Sequence, residues 1–238
     1  MGIDIGLLFL TAASIGFIHT LLGPDHYLPF VAMSAARGWT KRQTLWITAL
    51  CGVGHVMGSV VIGLVGIGIG ISLSRLQWFE SFRGDVAAWL LTGFGLAYMA
   101  WGLKKAWRSR PHTHEHGHAD GTLHRHEHGH EDPHLHPHVD PARARSITPW
   151  ALFVIFVLGP CEPLIPLVMY PASKHSAWGL AVVVMAFGVV TIGTMLAVVS
   201  LALRGLERLP LESAERYSHA LAGAALCLCG LGIVVLGL

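Results

Sequence analysis

The chain reads as an all-α membrane protein of six transmembrane helices, arranged as a 3+3 inverted repeat with helices 1 and 4 broken at Gly-Pro. Three observations predict this. Charged residues make up 13% of the 238 residues and mean hydropathy is +0.56, whereas a soluble globular chain carries about 25% charged residues. The charge that remains is segregated, leaving apolar windows near or above the ~18–20 residues with which a helix spans about 30 Å of hydrocarbon. Leu22-Gly23-Pro24-Asp25-His26 is echoed by Leu158-Gly159-Pro160-Cys161-Glu162 across a long polar segment. This pattern excludes a secreted disulfide scaffold, a disordered chain and an ordinary soluble enzyme.

The spans are expected at 5–36 (broken), 43–73, 86–106, 147–171 (broken), 177–203 and 217–238. The first is read as a membrane helix and not a signal peptide, because Met1 to Ile5 holds only Asp4 and no basic n-region. Cys51, Cys161, Cys227 and Cys229 all fall in apolar windows, which argues against an extracellular disulfide framework. The connections after spans 1, 3 and 5 hold thirteen Lys and Arg; the alternate ones hold only Arg75, Arg83 and Lys174. By the positive-inside rule the thirteen lie in the cytoplasm and both termini outside. The chain then divides into a three-helix half (1–107), a flexible cytoplasmic His-rich loop (108–146) and a second three-helix half (147–238). Three is odd, so the second half enters the membrane inverted. Inverted repeats of this kind place substrate sites where paired helices break at the midplane.

The breaks at Gly23-Pro24 and Gly159-Pro160 have a local cause. Proline removes an i→i−4 hydrogen bond and glycine is a poor helix former. The backbone groups so released need protein partners or a wet cavity, which makes these four residues candidates for gating. Within apolar windows the formal charges kept are Asp25 and Glu162, accompanied by His19, His26, His55 and Cys161. Such residues are costly in a bilayer and face a bundle interior or a cavity. Asp25 has the alternative role of an N-cap and Glu162 that of a first-turn dipole partner. The histidines can also be interior hydrogen-bonding groups, and Cys161 a small buried residue. Taken together, two carboxylates, three imidazoles and a thiol form a set suited to a divalent transition metal.

Eleven of the sixteen histidines fall between positions 112 and 138: His112, His114, His116, His118, His124, His126, His128, His130, His134, His136 and His138. The run lacks the apolar residues to bury a core. Neutral imidazole, dominant above about pH 6.5, binds divalent metal, so the segment is expected to capture or buffer metal on the cytoplasmic side. A solvated linker or pH-responsive loop is the bland alternative.

These residues together resemble the nickel/cobalt transporter (NicO) family and the related urease-accessory transmembrane (UreH-like) proteins of the LysE-type superfamily. The family's first-helix motif is matched by His19…Asp25-His26, with one residue more between His19 and Asp25 than the nickel-permease form. Its Gly-His-Ser is matched by Gly54-His55, with Val56 at the serine. Its Leu-Gly-x-Asp…Glu motif is matched by Leu158-Gly159-Pro160-Cys161-Glu162, with Cys161 at the aspartate. The resemblance implies a secondary transporter, not an enzyme, with nickel or cobalt as substrate and no prosthetic group. Its His-rich loop resembles that of efflux members and implies export across the cytoplasmic membrane, with uptake as the other direction. The implied metal site is His19, Asp25, His26, His55, Glu162 and Cys161; proton exchange is a reasonable driving force. The chain has no GxxxxGK[ST] loop for ATP. Gly-Pro-Cys also resembles the thiol-disulfide carriers of cytochrome c biogenesis, although Asp25 stands where their second cysteine would. Sulfite or organosulfonate exporters have similar size, but Asp25 and Glu162 would repel an anion.

Overall fold

A computed structural model describes residues 4–108, 112–117, 123–128, 141–208 and 212–236. Among these residues eight α-helices carry the fold: α1 (Ile5–Leu22), α2 (Leu28–Arg37), α3 (Lys41–Gly68), α4 (Leu73–Arg108), α5 (Pro141–Leu158), α6 (Leu164–Ser173), α7 (Ala177–Leu206) and α8 (Ser218–Leu236). Their ends follow ordinary capping chemistry. Asp4, Thr40 and Ser176 each accept a backbone N–H three residues on, at 3.0, 3.2 and 3.0 Å, opening α1, α3 and α7. Gly38 closes α2 at φ +62°, a left-handed conformation that glycine adopts without steric cost.

Among the described residues, five helical stretches are long and apolar enough to cross a membrane: Ile5–Leu22, Lys41–Gly68, Leu73–Arg108, Ala177–Leu206 and Glu215–Val235. The protein is thus a multi-pass membrane protein. The expected fourth span consists of two shorter apolar helices, Thr148–Leu158 and Leu164–Ser173. Both Gly-Pro sites do interrupt helices: α1 ends at Leu22, a 3₁₀ turn fills Pro24–His26, and α2 starts at Leu28; α5 ends at Leu158 and α6 starts at Leu164.

One expectation is corrected. The third helix begins at Leu73, thirteen residues before the expected 86, so Glu80, Arg83 and Asp85 belong to α4 and not to a connection. Glu80 and Arg83 are buried. The periodicity explains this: Leu76, Glu80, Arg83, Ala87 and Leu91 are all buried at steps of three and four, one stripe of a single helix. Within the His-rich segment, β1 (His112–Gly117) pairs antiparallel with β2 (Leu123–His128). The register sets His112 opposite His128, His114 opposite His126 and His116 opposite His124. His118, His130, His134, His136 and His138 lie outside the described residues.

The helices pack as interleaved pairs. The most extensive is α4 with α8; α1 lies against α7, and α3 against α5 and α7. Along the α4–α8 seam, a Cβ on Gly95 or Gly102 would strike the backbone of Cys227 or Ala220, and one on Gly223 the backbone of Met99. Only glycine permits this approach, the usual device of membrane helix pairs. Two apolar clusters fill the interior, one around Phe30, Met33, Phe156 and Met195, the other around Val56, Leu164, Val168 and Phe187. Outward stand Trp46, Leu50, Val61, Leu90, Leu201 and Leu228, large apolar groups suited to lipid.

Candidate metal site

Break 1 lies beside the middle of α3. His19 comes from the last turn of α1, His26 from the 3₁₀ turn and His55 from α3. Had α1 continued, His19 and His26 would sit two turns, about 10 Å, apart along it. The break folds the chain back so that their ring centroids are 4.8 Å apart, edge to face. His55 completes the group, its ring 5.0 Å from His26 and 6.4 Å from His19. One nitrogen from each ring lies within 4.8 Å of the other two. Tetrahedral ligation with metal–nitrogen bonds of ~2.0–2.1 Å needs nitrogens ~3.4 Å apart, so rings this close require only a small inward movement.

The three Nε2 atoms are buried without hydrogen-bond partners. A buried polar atom left unpaired costs about 1–3 kcal/mol, so three on neighbouring rings leave room for a polar or metal partner. The other edges of two rings are held. His26 Nδ1 donates to Asp25 Oδ1 at 3.0 Å and faces the Gly23 carbonyl at 3.1 Å; the Phe156 backbone hydrogen-bonds His55. Proton placement at His26 Nδ1 leaves the Nε2 lone pair free, the carboxylate–histidine arrangement that orients metal ligands. Gly23 is needed for it: a Cβ there would lie 2.6 Å from His26 Nδ1 and 2.7 Å from Asp25 Oδ1.

The cavity has a volume of about 420 Å³, lined by the three histidines, Asp25 and Glu162, with Ser81 and Asp85 of α4. The expected ligand set is therefore split. His19, His26 and His55 come together, and Asp25 stands behind His26. Glu162 lines the cavity but is exposed. Cys161 is wholly buried among Leu164, Val168 and Phe187; among the described residues its thiol is not part of the ligand group. Because Cys161 and Glu162 are neighbours at a bend, one points into the core and the other away.

Break 2 is held by residues that the sequence does not single out. Pro160 has no N–H to give, and the end of α5 leaves carbonyls unpaired. Arg83 Nη2 donates to the Val157 and Gly159 carbonyls at 3.0 and 3.1 Å. The Cys161 N–H faces Ser59 Oγ at 3.1 Å and Glu80 Oε2 at 3.2 Å. Ser59 donates to Glu80 Oε2 at 2.8 Å, and Arg83 Nη1 pairs with Glu80 Oε1. Gly54, Gly58 and Gly84 make room: a Cβ on each would meet Val157, the Val157 carbonyl and Pro160 at 2.7, 2.9 and 2.8 Å. The signal that could have found this network is Glu-x-x-Arg on the buried stripe of a continuous helix.

Comparison with protein-family models, curated proteins and solved structures finds no match.

Proposed function

We propose that the protein is a secondary transporter of divalent transition-metal ions, most simply of nickel or cobalt. The observation that carries this reading is the meeting of three histidines, each with a buried and unpartnered Nε2 atom, in one cavity at a helix break. Imidazole suits nickel, cobalt, copper and zinc and is a poor match for magnesium or calcium. Three nitrogen donors leave a coordination position open for water, so the ion is not sealed in as it is in a structural site. Neutral ligands are required, so proton uptake favours release and a proton gradient is a fitting driving force.

In this reading α1 to α4 and α5 to α8 form two inverted halves of three crossings each, α5 and α6 together making the fourth span. The pairing of α1 with α7 and of α3 with α5 is what such a pseudo-twofold predicts, as is the central pair of α4 and α8. The termini lie outside and the His-rich hairpin in the cytoplasm, where it gathers metal. The resemblance to the nickel/cobalt transporter family gives the direction as efflux, with movement of the halves about the two breaks exposing the cavity alternately.

The test is cellular nickel, cobalt, zinc, manganese and iron content with and without expression. Lower nickel or cobalt, restored to the control level by His26→Ala or His55→Ala at equal protein abundance, is the expected result. No change in any metal, or a change that survives both substitutions, defeats the proposal.

A further inference from the structure

The cavity extends beyond the three imidazoles. Asp85, from α4, and Glu162, from the second break, line it as well, and both are exposed. The nearest cation in sequence, Arg83, is committed to Glu80 and to the α5 carbonyls. Neither Asp85 nor Glu162 has an ion-pair partner among the described residues. Two like charges contributed by different parts of the fold thus share one space without neutralisation. At the buried end of the same space, the Nε2 atoms of His26 and His55, each residue 2% exposed, have no partner. A neutral or anionic ligand satisfies one end at the expense of the other; a cation satisfies both.

We propose that Asp85 and Glu162 form an oxygen-donor station for a hydrated divalent cation, passed on the way between the exposed end of the cavity and His19, His26 and His55. This rests on the metal-transport reading above. It reassigns Glu162 from the imidazole site to the station and adds Asp85, which lines the same cavity. The two ends differ in chemistry. Carboxylates attract any divalent cation and leave much of its water in place, whereas imidazoles favour nickel, cobalt or zinc after partial dehydration. Charge is therefore screened first and metal identity second. Carboxylates in a cleft with apolar walls focus the field and raise cation arrival rates by about 10–10³-fold.

The experiment uses the full chain reconstituted in liposomes, with cobalt as probe. Cobalt bound to three imidazoles has a visible absorption band, which reports the deep site independently of flux. In Asp85→Asn/Glu162→Gln the band and its saturation at high cobalt should persist, while flux at low cobalt falls about tenfold or more. Magnesium in excess should slow wild-type flux and lose this effect in the double variant. Asp85→Asn alone should give an intermediate result, and persistence of the band shows that each variant is folded. Wild-type flux and undiminished magnesium competition in the double variant would overturn the station while leaving the transport reading intact. Loss of the band in that variant would also overturn it, by putting the carboxylates in the deep site. Absence of cobalt binding and flux in the wild type would overturn both.

Discussion

The two breaks share Leu-Gly-Pro but are stabilised in opposite ways. Break 1 is closed by its own residues: Gly23, Asp25 and His26 satisfy one another within four positions, and the outward edges of the rings are left free. Break 2 is closed from outside, by Ser59 of α3 and by Glu80 and Arg83 of α4. One motif serves two purposes because the residues after the proline differ. Asp-His after Pro24 supplies an acceptor and a ligand, whereas Cys-Glu after Pro160 supplies neither to its own turn. The first break carries its own candidate ligand, His26, on its turn, whereas the turn of the second is fixed by other helices and mounts Phe156, a neighbour of His55.

The sharpest way to break that contrast is to remove one member of the second network. Arg83→Leu leaves Glu80 charged and buried, at a cost of about 3–5 kcal/mol. It should sharply lower the melting temperature and yield of purified protein in fluorescence-detected gel filtration. Glu80→Gln/Arg83→Met, which removes both charges, should recover much of the loss; no recovery would mean that the hydrogen bonds to Val157 and Gly159 dominate over charge balance. At break 1 the same assay should move little, and metal binding should move instead. His26→Ala should abolish high-affinity cobalt binding measured by calorimetry. Asp25→Asn keeps the shape but weakens the hold on the ring, and should cost about 10–100-fold in affinity. Gly23→Ala, whose added methyl intrudes on both Asp25 and His26, should cost about as much. The smallest effect is expected from Cys161→Ala. Its thiol is buried away from the imidazoles, so affinity should stay unchanged with at most about 1 kcal/mol of stability lost. A tenfold affinity loss there would restore Cys161 to the ligand set.

The part of the molecule legible in the sequence is local. Gly-Pro in an apolar run breaks a helix wherever it falls, and both breaks occur where they are expected. His19, His26 and His55 stand out because imidazole is rare in such surroundings. The rest depends on direction and distance. The stretch from Leu73 to Asp85 carries enough charge to pass for a connection, and only its buried stripe identifies it as helix. Sequence reasoning therefore misses Glu80 and places Arg83 in a connection. Neighbours at a bend diverge, so proximity of Cys161 and Glu162 to Pro160 says nothing about which one meets the histidines. Whether a His-rich run pairs with itself depends on register, which composition does not carry.

The glycine seam between α4 and α8 limits how this molecule can move. Backbone meets backbone at Gly95, Gly102 and Gly223, and at one end of the seam Tyr98 and Lys105 hydrogen-bond to His219 at 2.9 and 3.1 Å, so the pair has little slack to absorb a shift. In the proposed transport cycle this pair would serve as the axle. Displacement that opens the histidine cavity has to be borne by the looser helices around it, and a methyl group added at the axle would act at a distance on a site it never touches.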